Sequence, residues 1–474
     1  MRMWGQCSVL SAAEEEAIHQ AALDILSKVG VVVESESLLN RLEEQGGQVE
    51  RSQMRVTFTP SRVERFLNES DRFDWEAITP LVEGRAHIYY GYYLNPENDQ
   101  FEPWRTETVL QCLKHAYYLE RVSGRISYAF PVDNIPNEAL LPFFNYLSLK
   151  FCGFSIASVN SVEWAPLVLR MCEMAAEEWG LPLDRILRPH VHMITPLKLA
   201  REEARQLELF ADRHLPIGVG HMESAGGSAP VTLAGAMALD LAQGLFINIL
   251  RRACFGERKL SLGCYISPLD MRTGMYACGR PEKEICNVAL AQMARRYGAS
   301  FRGHTGHADA KRPSVEAGFQ RALNSIPTLM ACGHTTISCG LLSVDEVMSP
   351  LQMIIDDEII SALQRFAQGC EVSAETLALE VISTVGPGGS FLETDHTLRH
   401  FRTELWEPRL FTREGFGGWQ LSGMKNDVDK AWDIYRDIVK RDPPPIHVSP
   451  ILERKLLELI RETCGAQIRP VEPV

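Results

Sequence analysis

Residues able to do chemistry gather at a few places in the chain. Gly220-His-Met-Glu-Ser-Ala-Gly-Gly-Ser-Ala-Pro230 is a glycine-rich loop that carries Glu223 and leads into a helical pattern. Its backbone N–H groups could cradle an anion, or its glycines could simply form a tight turn. Ser267-Pro-Leu-Asp-Met-Arg-Thr-Gly274 offers Asp270 and Arg272 as substrate ligands, or as a mutual pair or a helix cap. His304, His307, Asp309 and Lys311 lie close together in the next loop, a composition that suits a polar site wall and also occurs in surface loops. His190 and His192 alternate along a strand pattern, so both imidazoles face one side. Metal-dependent hydrolases on barrels use such a pair, and ordinary core or rim polarity is the alternative. His396 and His400 have i, i+4 spacing without the intervening Glu of a zincin, which suits a plain amphipathic helix better.

Tyr89, Tyr90, Tyr92 and Tyr93 form the densest aromatic cluster. Alternation places Tyr90 and Tyr92 on one strand face and Tyr89 and Tyr93 on the other. One pair could pack the core while the other lies at the surface. Alternatively, one face contributes to a cage for a quaternary ammonium, each ring adding about 0.5–2 kcal/mol.

These residues need elements to position them. Ser11 and Glu14 form a capping box before a helix that ends at Gly30. Residues 1–103 read as an α+β layer, with a strand at Arg55–Thr59, a helix from Pro60 and the aromatic run. From about residue 104 to 370, strand-length apolar runs alternate with helices. The strands are expected at Ile126–Pro131, Phe154–Val159, His190–Thr195, Pro216–His221, Leu260–Ser267, Ser300–His304 and Pro327–Ser338. The alternation predicts parallel strands with crossover helices, and without a GxGxxG after the first strand a (β/α)8 barrel is favoured over a doubly wound sheet. In a barrel, the residues just after the strands line the catalytic mouth. Residues 371–474 read as a helical extension packed on the barrel, interrupted by Pro443-Pro444-Pro445.

Composition narrows the function classes. The 474 residues carry a net charge of −13, with 45% hydrophobic and 23% charged residues, which argues against disorder and against a nucleic-acid binder. Twelve scattered cysteines without a CxxC pair suggest a reducing cytoplasm. The start lacks the apolar core of a signal peptide. The most membrane-like window, Thr232–Leu250, contains Asp240, Gln243 and Asn248, so no membrane span is expected.

Several segments together resemble the trimethylamine methyltransferase superfamily: Pro230-Val-Thr-Leu-Ala-Gly-Ala, Leu269-Asp-Met-Arg-Thr-Gly274, Ala308-Asp-Ala-Lys311, Gly386-Pro-Gly-Gly389, His396-Thr-Leu-Arg-His-Phe-Arg402 and Trp406-Glu-Pro-Arg-Leu410. The resemblance implies a (β/α)8 barrel that passes a methyl group from a methylated amine to Co(I) of a corrinoid. A separate small protein carries that corrinoid and docks over the barrel mouth, so this chain itself would bind no cofactor and no metal. Founding members contain pyrrolysine and this chain does not, which points to the glycine betaine branch and a quaternary amine. A second departure is Pro313-Ser-Val-Glu316, which carries no role over to Glu316. On this resemblance His334, at a late strand end, is the expected ligand for the substrate carboxylate. A hydrolase built on His190 and His192, and a non-catalytic quaternary-ammonium binder, are the competing expectations. A homo-oligomer is compatible with the long apolar helices.

Overall fold

The computed structural model describes residues 3, 5, 7–133, 135–155 and 161–474. It is an α/β protein rich in helix, whose parallel strands are short and paired locally. Seven of them carry the site: β1 Leu81–Ile88, β2 Val122–Ile126, β3 His190–His192, β4 Gly218–Gly220, β5 Ser261–Cys264, β6 Ser300–Gly303 and β7 His334–Ser338. β1 lies between β7 and β2, β3 pairs with β4, and β5 pairs with β6, all parallel. Ser155 makes a parallel bridge to Leu187. The rest of the strand expected at Phe154–Val159 falls on 156–160, outside the described residues.

Helices separate these strands: α1 Thr106–Tyr118, α2 Ala165–Trp179, α3 Arg201–Asp212, α4 Leu233–Phe255, α5 Pro281–Tyr297, α6 Val315–Leu323, α7 Ile326–Cys332 and α8 Pro350–Gln368. Within β1, residues 82, 84, 86 and 88 are buried toward the helices, while Glu83, Arg85 and His87 turn the other way. A Cβ at Gly84 would stand 2.4 Å from the Arg121 carbonyl oxygen and 2.5 Å from Ile360 Cδ1 of α8, so only glycine fits between them. α4 is the one helix among the described residues long and apolar enough to cross a membrane, and 83% of its apolar window is buried inside the protein.

Two expected strands differ. β2 ends where Ile126–Pro131 was expected to begin, so Ser127 and Tyr128 follow the strand rather than belong to it. Pro327–Ser338 divides into α7 and β7. Pro327 occupies the first turn of α7, where its missing N–H is harmless, and Gly333 closes the helix at φ 73°.

The N-terminal helix Ala12–Asp24 has the expected Ser11–Glu14 capping box. A four-stranded sheet in that region takes Lys198–Leu199, just past β3, as its edge. β1 lies within residues 1–103 yet pairs with β2 and β7 from beyond them. In the C-terminal part, helices α9 Asp427–Lys440 and α10 Pro450–Cys464 bury Tyr435, Ile438, Leu456 and Ile460 against the rest of the protein. The helices between 374 and 421 bury no residue.

One buried ion pair ties the late elements together. Arg321 on α6 and Asp356 on α8 are both 0% exposed, and their Nε and Oδ1 atoms are 2.6 Å apart. Asp356 also accepts from Gly340 N at 2.8 Å and from Gln352 Nε2 at 2.8 Å, and Arg321 donates to the Leu341 carbonyl. Arg321→Met strands a carboxylate in the core and should destabilise the protein by about 3–5 kcal/mol in urea unfolding. Adding Asp356→Leu should restore most of that loss, and a single variant as stable as the parent would contradict this role.

Candidate active site

Side chains at the C-terminal ends of the parallel strands meet one another in sequence. At β1, His87 is hydrogen bonded to Ser127 after β2 at 2.8 Å and stacks on Tyr89. Tyr89 in turn stacks on Tyr128, with ring centroids 5.4 Å apart. After β4, His221 lies edge-on to Tyr265, which follows β5, at 6.2 Å. Tyr265 lies 5.4 Å from His304, after β6, and His304 lies 3.9 Å from His307. His307 Nε2 is 3.0 Å from Ser338 Oγ at the end of β7. The turn holding His304 and His307 needs Gly306 at φ 70°, where a Cβ would meet the Thr336 carbonyl at 2.4 Å.

Burial without compensating charge dominates the electrostatics here. His87, His304 and His307 are all held well below the ordinary imidazole value, mainly by desolvation. Arg125 and Arg85 reinforce this at His87, and Lys283 does so at both His304 and His307. The Lys283 ammonium, 3.1 Å from His304 Nδ1, donates to it and leaves the proton of the neutral ring on Nε2. Burial and His192 hold His190 down at about 3. His221 goes the other way. Desolvation opposes its charge, but Glu223 and Asp240 outweigh that and raise it to about 9. Burial, then the neighbouring Glu223, pushes Asp240 well above the carboxylate range.

Arg125 on β2 is a second unbalanced charge. Burial, then Arg85, lowers its guanidinium to about 10. Its Nε atom is buried without a hydrogen-bond partner. Its one hydrogen bond among the described residues is a long one, 3.5 Å to Ser123 Oγ, and it has no carboxylate partner there, whereas Arg85 and Arg302 both reach Glu83. It acts electrostatically on both His87 and Tyr89, so it lies beside the tyrosine pair.

The structure gathers some of the expected site residues and disperses others. His304, Glu223 and Tyr89 belong to this group. Tyr90 and Tyr92 are 55% and 52% exposed, while Tyr93 is buried against Trp104, so the four tyrosines do not form one cage wall. The strand breaks at Gly91 between β1 and the next strand, Tyr92–Asn95, which separates Tyr89 from Tyr93. Asp270 accepts from Arg272 N and Thr273 N of its own turn and pairs with Arg280, leaving Arg272 exposed. Asp309 accepts from Cys278 N and Gly279 N, tying two loops together. His334 requires correction. It is the first residue of β7, opposite Leu81, at the far end of the strands from His304, and it is hydrogen bonded to Glu83 at 2.9 Å. His190 and His192 stand with rings 4.6 Å apart, but among the described residues no third metal-ligating side chain joins them.

Sequence reading missed His87, Arg125, Tyr128, Tyr265 and Lys283. Strict alternation in Leu81–Ile88 was a usable sign, since it puts Glu83, Arg85 and His87 on one face. Tyr128 was hidden by the misplaced end of β2. Lys283 becomes recognisable only once α5 is folded against the His304 loop.

The profile of the family described as Trimethylamine methyltransferase (MTTB) matches residues 151–463. A glycine betaine methyltransferase of Desulfitobacterium hafniense is 26% identical over 474 residues, covering 96% of this chain and 97% of the relative. A trimethylamine methyltransferase MttB of Methanosarcina barkeri is 30% identical over 246 residues, covering 52% of this chain and 50% of the relative. The crystal structure of the hydroxylamine MtmB complex aligns with a TM-score of 0.41 at 11% identity, covering 90% of this chain and 92% of that one. With its profile match spanning most of the sequence, the chain belongs to the trimethylamine methyltransferase family, and it is a methyltransferase.

Proposed function

We propose that this methyltransferase moves a methyl group from a carboxylate-bearing quaternary amine, glycine betaine or a related betaine, to the Co(I) corrinoid of a separate partner protein. The released product is a tertiary amine such as dimethylglycine. The observation that supports this reading is Arg125, half-buried with its Nε enclosed and without a carboxylate partner among the described residues, close enough to act on Tyr89, which stacks on Tyr128. A zwitterion fits that pairing, with its carboxylate on Arg125 and its ammonium against the tyrosine faces. The near-full-length similarity to a glycine betaine methyltransferase supports the same substrate class.

The chemistry asks little of the protein beyond positioning. The leaving amine departs neutral with the C–N electron pair, so no acid is required. The imidazoles His87, His304 and His307, uncharged at neutral pH, add no positive charge to repel the ammonium. Enclosure at the strand ends excludes water and holds the N-methyl toward the opening, where the corrinoid supplies the nucleophile. This reading places the seven strands in a (β/α)8-type barrel closed by β7 against β1. The barrel would then begin near residue 81 rather than 104, and the enzyme would work in the cytoplasm with its corrinoid held by the partner protein.

Formation of methylcobalamin from cob(I)alamin, followed optically, tests the proposal. Glycine betaine or another betaine should drive it in an enzyme-dependent manner. Tight binding of betaines with no turnover would favour the non-catalytic binder instead. Arg125→Gln should raise KM by about ten-fold or more, as for a lost charged hydrogen bond of about 1.5–3 kcal/mol. Tyr89→Leu should raise it by roughly 2- to 30-fold, and Tyr92→Leu should leave it unchanged. His334→Ala, at the opposite end of the strands, should leave KM unchanged, and a large KM effect there would relocate the carboxylate site.

The depressed histidines predict a pH dependence of stability. His115, held at about 4 mainly by burial, and His190, at about 3, stay neutral in the folded protein while the unfolded chain takes up protons below pH about 6.5. Stability therefore falls as pH drops from about 6.5 toward 4. The urea midpoint should accordingly fall between pH 7 and pH 5.

A further inference from the structure

The methyl-transfer reading leaves one buried group unused. His221 Nδ1 stands 2.8 Å from Glu223 Oε1 and 3.7 Å from Asp240 Oδ2, and one ligand atom from each residue lies within 4.8 Å of the other two. The three residues are 4%, 0% and 2% exposed. Glu223 Oε2 and Asp240 Oδ2 are buried without a hydrogen-bond partner, each on a side chain closed off from solvent. Glu223 Oε1 is taken by His221 Nδ1, so the other Glu223 oxygen and Asp240 Oδ2 are left facing no donor, and a bound cation would satisfy both.

The surroundings are built to hold these donors in place. His221 and Glu223 come from the loop after β4, and Asp240 comes from α4, so two separately anchored elements supply the group. Gln243, on the same helix as Asp240, donates to Glu223 Oε1, and its own Oε1 accepts from Leu197 N at 2.7 Å. Outer hydrogen bonds of this kind fix the orientation of metal ligands. Tetrahedral donors about 2.1 Å from one ion sit about 3.4 Å apart, and the separations of 2.8 and 3.7 Å bracket that spacing. Among the described residues no other three His, Cys, Asp or Glu side chains meet this way.

We propose that His221, Glu223 and Asp240 bind one divalent metal ion of the zinc class. A nitrogen donor beside two carboxylates suits zinc and its first-row neighbours better than calcium or magnesium, which take oxygen donors. Three protein ligands leave a coordination position for water or for an oxygen of a bound ligand. The site does not depend on which methyl donor the enzyme uses, and neither His190 nor His192 is among its three ligands.

Chelator-treated full-length protein, dialysed against zinc sulfate and then metal-free buffer, should retain about one zinc per chain by elemental analysis. Glu223→Gln and Asp240→Asn, close in shape to the originals, should weaken zinc binding by about ten-fold or more, while His190→Gln binds like the parent. Circular dichroism and the metal-free thermal midpoint show whether each variant is folded. X-ray absorption at the zinc edge of the parent protein gives a test that needs no variant, and should show a single imidazole with oxygen neighbours. Negligible zinc retention by the parent, unchanged affinity in both carboxylate variants, or a zinc shell containing sulfur or several imidazoles would each overturn the assignment.

Discussion

Desolvation at the C-terminal ends of the parallel strands is the constraint on which the rest of the site depends. Imidazoles in water would be partly charged near neutrality. Enclosed beside Arg125 and Lys283, His87, His304 and His307 cannot take up that charge. The result is a group of neutral imidazoles and aromatic rings beside Arg125, whose guanidinium meets no carboxylate among the described residues. His221 is the exception, and the cause is local: two acidic neighbours, one on its own loop and one on α4, favour its charged form despite burial. Neutral imidazoles thus lie next to a group of acidic side chains.

That environment survives because the surrounding elements are held rigidly. β1 lies between β2 and β7, so the residues following it face those following both neighbours. Gly84 lets α8 close over β1, and Arg321 with Asp356 ties α6, α8 and the segment after β7 into one block. The loop carrying His304 and His307 is fastened to that block, since Asn324 accepts from Gly306 N and donates to the His307 carbonyl. The ionic interactions that hold the fold therefore lie just behind the uncharged rings that form the site.

Much of the fold was legible in the sequence. Strand and helix alternation located β3, β4, β5 and β6 and the helices α2 to α6 within a few residues, because each is a local pattern bounded by glycine or proline. The Ser11–Glu14 box and Gly30 gave the first helix its limits. What failed was non-local. Leu81–Ile88 was not singled out as a strand at all, and its alternating charges turn toward other strands rather than to solvent. Ile326–Cys332 is too short and apolar to separate helix from strand by periodicity. For the site, His304 and Glu223 were legible from their loops. The end of the strand on which His334 stands was not, since motif position does not fix strand register. The tyrosine run showed its alternation, but Gly91 breaks the strand between Tyr89 and Tyr93.

The chain belongs to the trimethylamine methyltransferase family, and the proposed betaine substrate is what remains to be tested at these strand ends. A crystal structure with glycine betaine bound tests the central claim most directly. The ammonium should lie against Tyr89 and Tyr128 at the strand ends, with the carboxylate on Arg125 and a methyl group toward the opening. Betaine bound at the His334 and Glu83 end of the strands, or bound with Arg125 left unpaired, would contradict it.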